Sequence, residues 1–283
     1  MTKFIYGIIG HPVKHSLSPA MQNAAFKAIG ADAEYRAYDV APGELEAFLK
    51  DVPHAGISGL NITIPHKIKA KEYVEKYGTL DENAKRLGAV NTIKAAGENV
   101  FGFNTDGPGF YRSLVGDLKF EPEGKNILVL GAGGAATALV MYLGNGPAKI
   151  FVTDIDETKS AGLKNHYEKY YDADKLIIVG KDDVRKAIKD AALLVNATPI
   201  GMKESDGLPI DKNLLRPGFY VYDLVYNRPA TELVKEAVRR KAHAVTGIGM
   251  LLCQGAISFE IWTGVPAPVE VMRKALKEAI KKL

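Results

Sequence analysis

Asn126-Ile127-Leu128-Val129-Leu130-Gly131-Ala132-Gly133-Gly134-Ala135-Ala136 reads as a short apolar strand, a Gly-x-Gly-x-x-Ala turn and the start of a helix. That context gives the turn its meaning, because glycine-rich strand ends also occur in α/β folds that hold no nucleotide. Gly131 permits the tight turn, Gly133 lets the backbone approach a pyrophosphate, and Ala136 is small enough for a helix to pack on a strand. A helix starting near Gly134 would aim its free N–H groups at phosphates. Gly131, Ala132, Gly133, Gly134 and Ala135 are therefore the candidate cofactor loop. A strand at Lys149–Thr153 then ends on Asp154, 23 residues after Gly131, close to the spacing of about 20 expected for a carboxylate that accepts from ribose hydroxyls. Such a group repels a 2′-phosphate. Lys159 is the one cation between Thr153 and Ser160, and lysine is a weaker phosphate clamp than arginine. The stretch favours NAD, with NADP as the alternative. Asp154 as a plain turn residue is the structural alternative.

Working outward, further short apolar strands are expected at residues 176–179, 193–196 and 220–225, with helical patterns between them. Strands without alternation suit a parallel sheet covered on both faces. Upstream, Phe4–Gly10 reads as a buried strand and Ser18-Pro19 as a helix start, with the proline where a missing N–H costs nothing. Strands at 35–40, 59–63 and 89–94 alternate with helices at 42–50, 67–77 and 82–87. The fold class is α/β: an N-terminal α/β domain (1–115) followed by a doubly wound parallel-sheet domain (116–247), with a polar connector at 116–125. Residues 250–262 read as a buried helix and 269–283 as an amphipathic closing helix, and 248–283 is assigned back to the first domain.

The 283 residues are 47% hydrophobic and 25% charged, with a net charge of +4, an ordinary soluble composition. The basic residues are scattered, and the densest group, residues 274–282, suits the negative end of a helix better than a nucleic-acid surface. Cys253 is the one cysteine, which excludes an internal disulfide and a cysteine-rich metal site. The six histidines show no ligand spacing with carboxylates, so no metal is expected. No apolar run approaches the ~18 residues of a membrane span, and residues 1–15 lack a signal-peptide pattern. A cytoplasmic location is expected, with no membrane or nucleic-acid partner. A homodimer is left open.

Two further runs carry chemistry. Asn61-Ile62-Thr63-Ile64-Pro65-His66-Lys67 closes on a lysine, and Asn104-Thr105-Asp106 on a carboxylate. Taken alone, Lys67 and Asp106 read first as a structural ion pair and second as a proton-transfer pair. Ser18 reads as a helix N-cap, which need not exclude ligand binding. Gln254, on an apolar helix, needs buried partners whether they are ligand or protein.

These runs, with His15-Ser16-Leu17-Ser18-Pro19, Gly88-Ala89-Val90-Asn91-Thr92, Asn196-Ala197-Thr198-Pro199-Ile200-Gly201-Met202, Asp223-Leu224-Val225-Tyr226 and Gly249-Met250-Leu251-Leu252-Cys253-Gln254, resemble the shikimate and quinate dehydrogenases over nearly the whole chain. The resemblance implies a substrate domain, a Rossmann-type cofactor domain and a cleft between them. It also implies reversible reduction of 3-dehydroshikimate to shikimate. By motif, Lys67 and Asp106 are catalytic. Ser16 and Ser18 hold the substrate carboxylate, while Asn61, Thr63, Asn91, Asp106 and Gln254 bind ring hydroxyls, with Lys67 beside the reacting oxygen. Tyr226 is placed near both ligands. Thr198 and Gly247 join the cofactor set. A polyol carboxylate calls for such neutral donors and acceptors. Many family members carry Asn-Arg-Thr after the second cofactor-domain strand, which suits NADP. Here Asp154-Ile155-Asp156 resembles the NAD-using quinate/shikimate branch, whereas Ser18 resembles the shikimate-selective one. The alternative readings are a quinate-preferring NAD enzyme and a non-catalytic sensor. Retention of Lys67 and Asp106 argues against the sensor.

Overall fold

The computed structural model describes residues 3–282; Met1, Thr2 and Leu283, which the domain ranges above include, lie outside them. The chain forms two compact units, one reaching to Gly109 and resuming over Leu252–Lys282, the other Phe110–Leu251. These divisions fall inside two helices, a few residues from the boundaries that composition suggests. Polar composition marks where a helix ends, whereas a unit is defined by what each helical turn packs on.

The first unit comprises β1 (Phe4–Gly10), α1 (Ser18–Ala28), β2 (Ala33–Asp39), α2 (Leu45–Asp51), β3 (Ile57–Ile62), α3 (Lys67–Tyr77), β4 (Thr79–Leu80), α4 (Glu82–Leu87), β5 (Thr92–Ala96), β6 (Asn99–Phe103) and the first turn of α5 (Asp106–Gly116). Its six-stranded sheet runs β2-β1-β3-β5-β6-β4. β1 lies parallel to β2 and β3, while β5 is antiparallel to both β3 and β6. Ile9, Leu60, Ile62, Val74 and Ile93 fill its core. This register sets Asn61 opposite Thr92, a polar pair in an apolar sheet. Ser18 is the first residue of α1 and Leu17 its N-cap, with no side-chain cap bond. The cap reading of Ser18 is thereby corrected: Ser18 already lies in the helix with Pro19 second, and the Ser18 hydroxyl is turned to other partners.

The second unit holds β7 (Asn126–Leu130), α6 (Gly134–Leu143), β8 (Lys149–Thr153), α7 (Glu157–Tyr167), β9 (Leu176–Ile178), α8 (Val184–Asp190), β10 (Leu193–Asn196), β11 (Tyr220–Asp223), α9 (Glu232–Arg239) and β12 (His243–Thr246). Its strand order is β12-β11-β10-β7-β8-β9, parallel throughout. The order reverses between β7 and β10. In doubly wound sheets, ligands settle beyond the strand ends at that switch. Leu128, Leu194, Val221 and Leu233 are among its buried core.

The chain closes with α10 (Ile248–Thr263) and α11 (Val269–Ile280). α11 packs on α1. From α10, the Trp262 indole N–H donates to the Ile93 carbonyl at 2.8 Å, and the Gly255 carbonyl accepts from Gln22 Nε2 at 2.9 Å. Among the described residues no helix is long and apolar enough to cross a membrane.

Candidate functional site

Lys67 opens α3 and Asp106 opens α5. A carboxylate at a helix N-terminus is favoured by the backbone dipole. The base of Lys67 is pinned by its neighbour. The His66 ring is buried, and its Nε2 lies 2.7 Å from the Val40 carbonyl, so that nitrogen carries the proton and donates. Lys67 Nζ donates to Asp106 Oδ2 at 2.6 Å, with the lysine side chain 26% exposed and the aspartate 10%. The pair is thus sheltered but open to a small molecule from the ammonium side. Asp106 Oδ1 accepts from Asn91 Nδ2 at 2.9 Å.

Asn91 is held at both ends of its amide. Its second amide proton goes to Thr105 Oγ1 at 2.9 Å, and its oxygen accepts from the Thr105 N–H at 2.8 Å and from the Thr92 hydroxyl at 3.0 Å. Asn61 is as well. Its Nδ2 finds three acceptors for two protons: Ser258 Oγ at 2.9 Å, Thr92 Oγ1 at 3.1 Å and the Asn91 carbonyl at 3.2 Å. Its Oδ1 accepts from Tyr35 O–H at 2.7 Å. Both Asn61 amide protons are spent inside the protein, which leaves a lone pair of its Oδ1 as the group for a ring hydroxyl. Burial raises the Tyr35 phenol well above the ordinary tyrosine range, opposed by a hydrogen bond from Ser18. Ser16 Oγ accepts from the Ser18 N–H at 3.3 Å. Thr63, half-buried, follows β3 by one residue, and its N–H donates to the Ile9 carbonyl at 2.9 Å. Gln254 lies nearly buried on α10, one turn from Ser258, whose Oγ donates to the Gln254 carbonyl at 3.0 Å.

The structure brings Lys67, Asp106, Asn91, Asn61 and Ser18 into one chain of hydrogen bonds. Tyr35, Thr92, Thr105 and Ser258 belong to the same chain, and sequence reasoning had not included them. Thr92 and Thr105 stand within runs already singled out, while Tyr35 and Ser258 carry no local signal.

In the second unit Gly131 sits at φ +97°, and a Cβ there would lie 2.9 Å from the Ala197 carbonyl oxygen. Both the turn and the crossing of the loop after β10 require glycine. Nothing lies within 4 Å of where a Cβ would stand on Gly133 or Gly134, so the loop faces open space. Gly133 is the N-cap of α6 and supplies no side-chain cap. The first-turn N–H groups are therefore available to an anion. Asp154 Oδ2 accepts from the Ala132 N–H at 2.7 Å, and Oδ1 from the Asp156 N–H at 2.9 Å, which fixes the carboxylate against the loop. These features fit a dinucleotide. Thr198 Oγ1 donates to Asn196 Oδ1 at 2.7 Å and shapes the turn after β10. Gly247 is required by packing, because a Cβ would meet the Leu224 carbonyl oxygen at 2.2 Å. Tyr226, 42% exposed, follows β11. Among the described residues no group of three or more His, Cys, Asp and Glu is arranged to hold a metal ion.

Residues 8–93 match the shikimate dehydrogenase substrate binding domain, and residues 247–277 match the shikimate 5'-dehydrogenase C-terminal domain. A shikimate dehydrogenase (NADP(+)) of Methanopyrus kandleri is 42% identical over 281 residues, covering 98% of this chain and 96% of that one. The chain belongs to the shikimate dehydrogenase family. Solved members share its fold. A shikimate dehydrogenase in complex with NADP+ superposes with a TM-score of 0.89 at 37% identity, covering 98% of this chain and 96% of that one. Shikimate 5-dehydrogenase from Listeria monocytogenes, in complex with shikimate and NAD, gives 0.88 at 31%, covering 97% and 96%. Family membership makes this chain an oxidoreductase that uses NAD or NADP. The relatives' names do not support the preference for NAD read from Asp154.

Proposed function

We propose that the chain interconverts 3-dehydroshikimate and shikimate, with Lys67 as the general acid–base. One observation carries this reading within the family: the Lys67 ammonium is held at 2.6 Å by Asp106 and remains partly exposed, while the amide protons behind it are spent on protein acceptors. When bound, a nicotinamide dinucleotide supplies or accepts the hydride. Reduction leaves an alkoxide-like oxygen, and Lys67 Nζ gives it a proton; oxidation returns that proton to Nζ. Asp106 keeps the ammonium aimed and Asn91 keeps Asp106 in place. Ser16 and Ser18 would hold the substrate carboxylate, and Thr63, Gln254 and Tyr226 the rest of the ring. Asn61, Asn91 and Asp106 would meet ring hydroxyls through the lone pairs their internal bonds leave.

The second unit would hold the dinucleotide on Gly131 through Ala135, with Asp154 at the ribose and Thr198 and Gly247 shaping the neighbouring turns. The finer reading is a preference for NAD. It is supported by the fixed carboxylate of Asp154, by the fully exposed Ile155, which offers no donor, and by Lys159, whose Nζ is drawn to Asp156 at 3.6 Å. A 2′-phosphate would face two carboxylates and a cation already engaged. The NADP(+) in the relatives' names favours the opposite choice, and the two cofactors must be compared directly.

The reaction is tested with reduced cofactor deuterated at the transferring position of its nicotinamide ring. 3-Dehydroshikimate should yield shikimate carrying deuterium on the carbon that bore the ketone, read by NMR. Unlabelled shikimate, or no shikimate, would reject the reading.

A further inference from the structure

The hydroxyl of Ser258 lies deep in the first unit, with no exposed surface. It accepts from Asn61 Nδ2 at 2.9 Å and lies 2.8 Å from the Thr92 hydroxyl. The Thr92 proton goes to Asn91 Oδ1 at 3.0 Å, so at the Ser258–Thr92 contact Ser258 is the donor whenever its proton is not on the Gln254 carbonyl. From Asn91 the bonds continue to Asp106 and end on Lys67. α10 therefore reaches the reacting lysine through two hydroxyls, one amide and one carboxylate, joined by hydrogen bonds at every step. Buried chains of this kind hold one geometry because any rotation leaves a donor unpaired.

We propose that Ser258 and Thr92 are positioning residues for the reaction: together they lock the Asn91 amide that aims Asp106 at Lys67. The proposal rests on the acid–base role of Lys67 given above. Both side chains are fully buried, out of reach of a ligand, so their loss should fall on the chemical step. Ser258→Ala and Thr92→Val, the second preserving shape, should each lower kcat about 3- to 10-fold, the effect of one hydrogen bond felt in the transition state. Shikimate KM should stay within about twofold, since no ligand contact is removed. Thr92→Ser, which keeps the hydroxyl, should retain wild-type kcat. Because both substitutions break the same contact, the double variant should be little worse than the poorer single one.

An activity-independent readout accompanies the kinetics. The rate at which an amine-selective acylating reagent modifies Lys67, followed by peptide mass spectrometry, should rise about threefold in Ser258→Ala as its bond to Asp106 loosens, with other lysines unchanged. Inactive wild-type protein would reject the proposed function, and the Lys67 labelling rate would still decide the positioning claim. Wild-type kcat and labelling in both variants would overturn the proposal. So would an effect confined to KM, or losses that multiply in the double variant. Failure of both variants to fold would also overturn it, by assigning the hydroxyl pair to the core alone.

Discussion

Lys67→Ala deletes the proton donor and leaves the serine and threonine hydroxyls in place. kcat for shikimate oxidation should fall by about 10²–10⁴-fold, while shikimate affinity, measured by calorimetry, changes only a few fold. A near-normal kcat with a raised KM would reduce Lys67 to a binding group. Asp106→Ala should damage both parameters, because it removes the aiming charge and frees the Asn91 amide proton. Lys67 and Asp106 were legible in the sequence because each closes a distinctive run. The internal partners of Asn61 were not. Its partner Ser258 stands 197 positions away, and no local pattern says that an amide will be saturated from a distant helix. Ser18 misled in the opposite direction. A serine before a proline has the chemistry of a cap, yet the helix starts on it and its hydroxyl faces Tyr35.

Among the elements, the strand ends of the second unit are tied by polar side chains. Asp223 ends β11. Burial raises its carboxyl group's pKa, and hydrogen bonds from the Thr231 hydroxyl, the Val225 N–H and Asn196 Nδ2 oppose the shift. Asp223→Ala would leave Asn196 and Thr231 with unpaired buried groups, and should lower unfolding free energy by about 2–4 kcal/mol; an unchanged urea midpoint would contradict this. At the end of β8, Asp154→Asn with Ile155→Arg removes repulsion and adds a planar donor fork. That double variant should gain kcat/KM with NADP and lose it with NAD, at nearly constant shikimate KM. If neither value moves, the ribose-side assignment of Asp154 fails. The strands of this unit from β7 to β11 were readable because each is a short apolar run. β4, β6 and β12 escaped. β4 has two residues, β6 carries a glycine in Asn-Val-Phe-Gly-Phe, and β12 is a four-residue edge strand. Such segments become strands only through the neighbours they pair with.

For the molecule as a whole, the sequence conveyed the α/β class, the doubly wound second sheet and the return of the C-terminal helices, because apolar runs and the glycine turn report on layers. It did not convey where one compact unit gives way to the other, since those divisions lie inside helices with no break in pattern. Substrate and cofactor choice belong to this scale too. Quinate brings an additional hydroxyl on the carbon bearing the carboxylate, which a site built on Ser16 and Ser18 would leave unpaired at a cost on the order of 1–3 kcal/mol. Shikimate should therefore be preferred. The most direct measurement is an initial-rate assay of the wild-type protein with shikimate or quinate, each with NAD or NADP. The account predicts dinucleotide reduction with shikimate, the highest kcat/KM for shikimate with NAD, and lower values for quinate with either cofactor. No dinucleotide reduction from shikimate with either cofactor would contradict it.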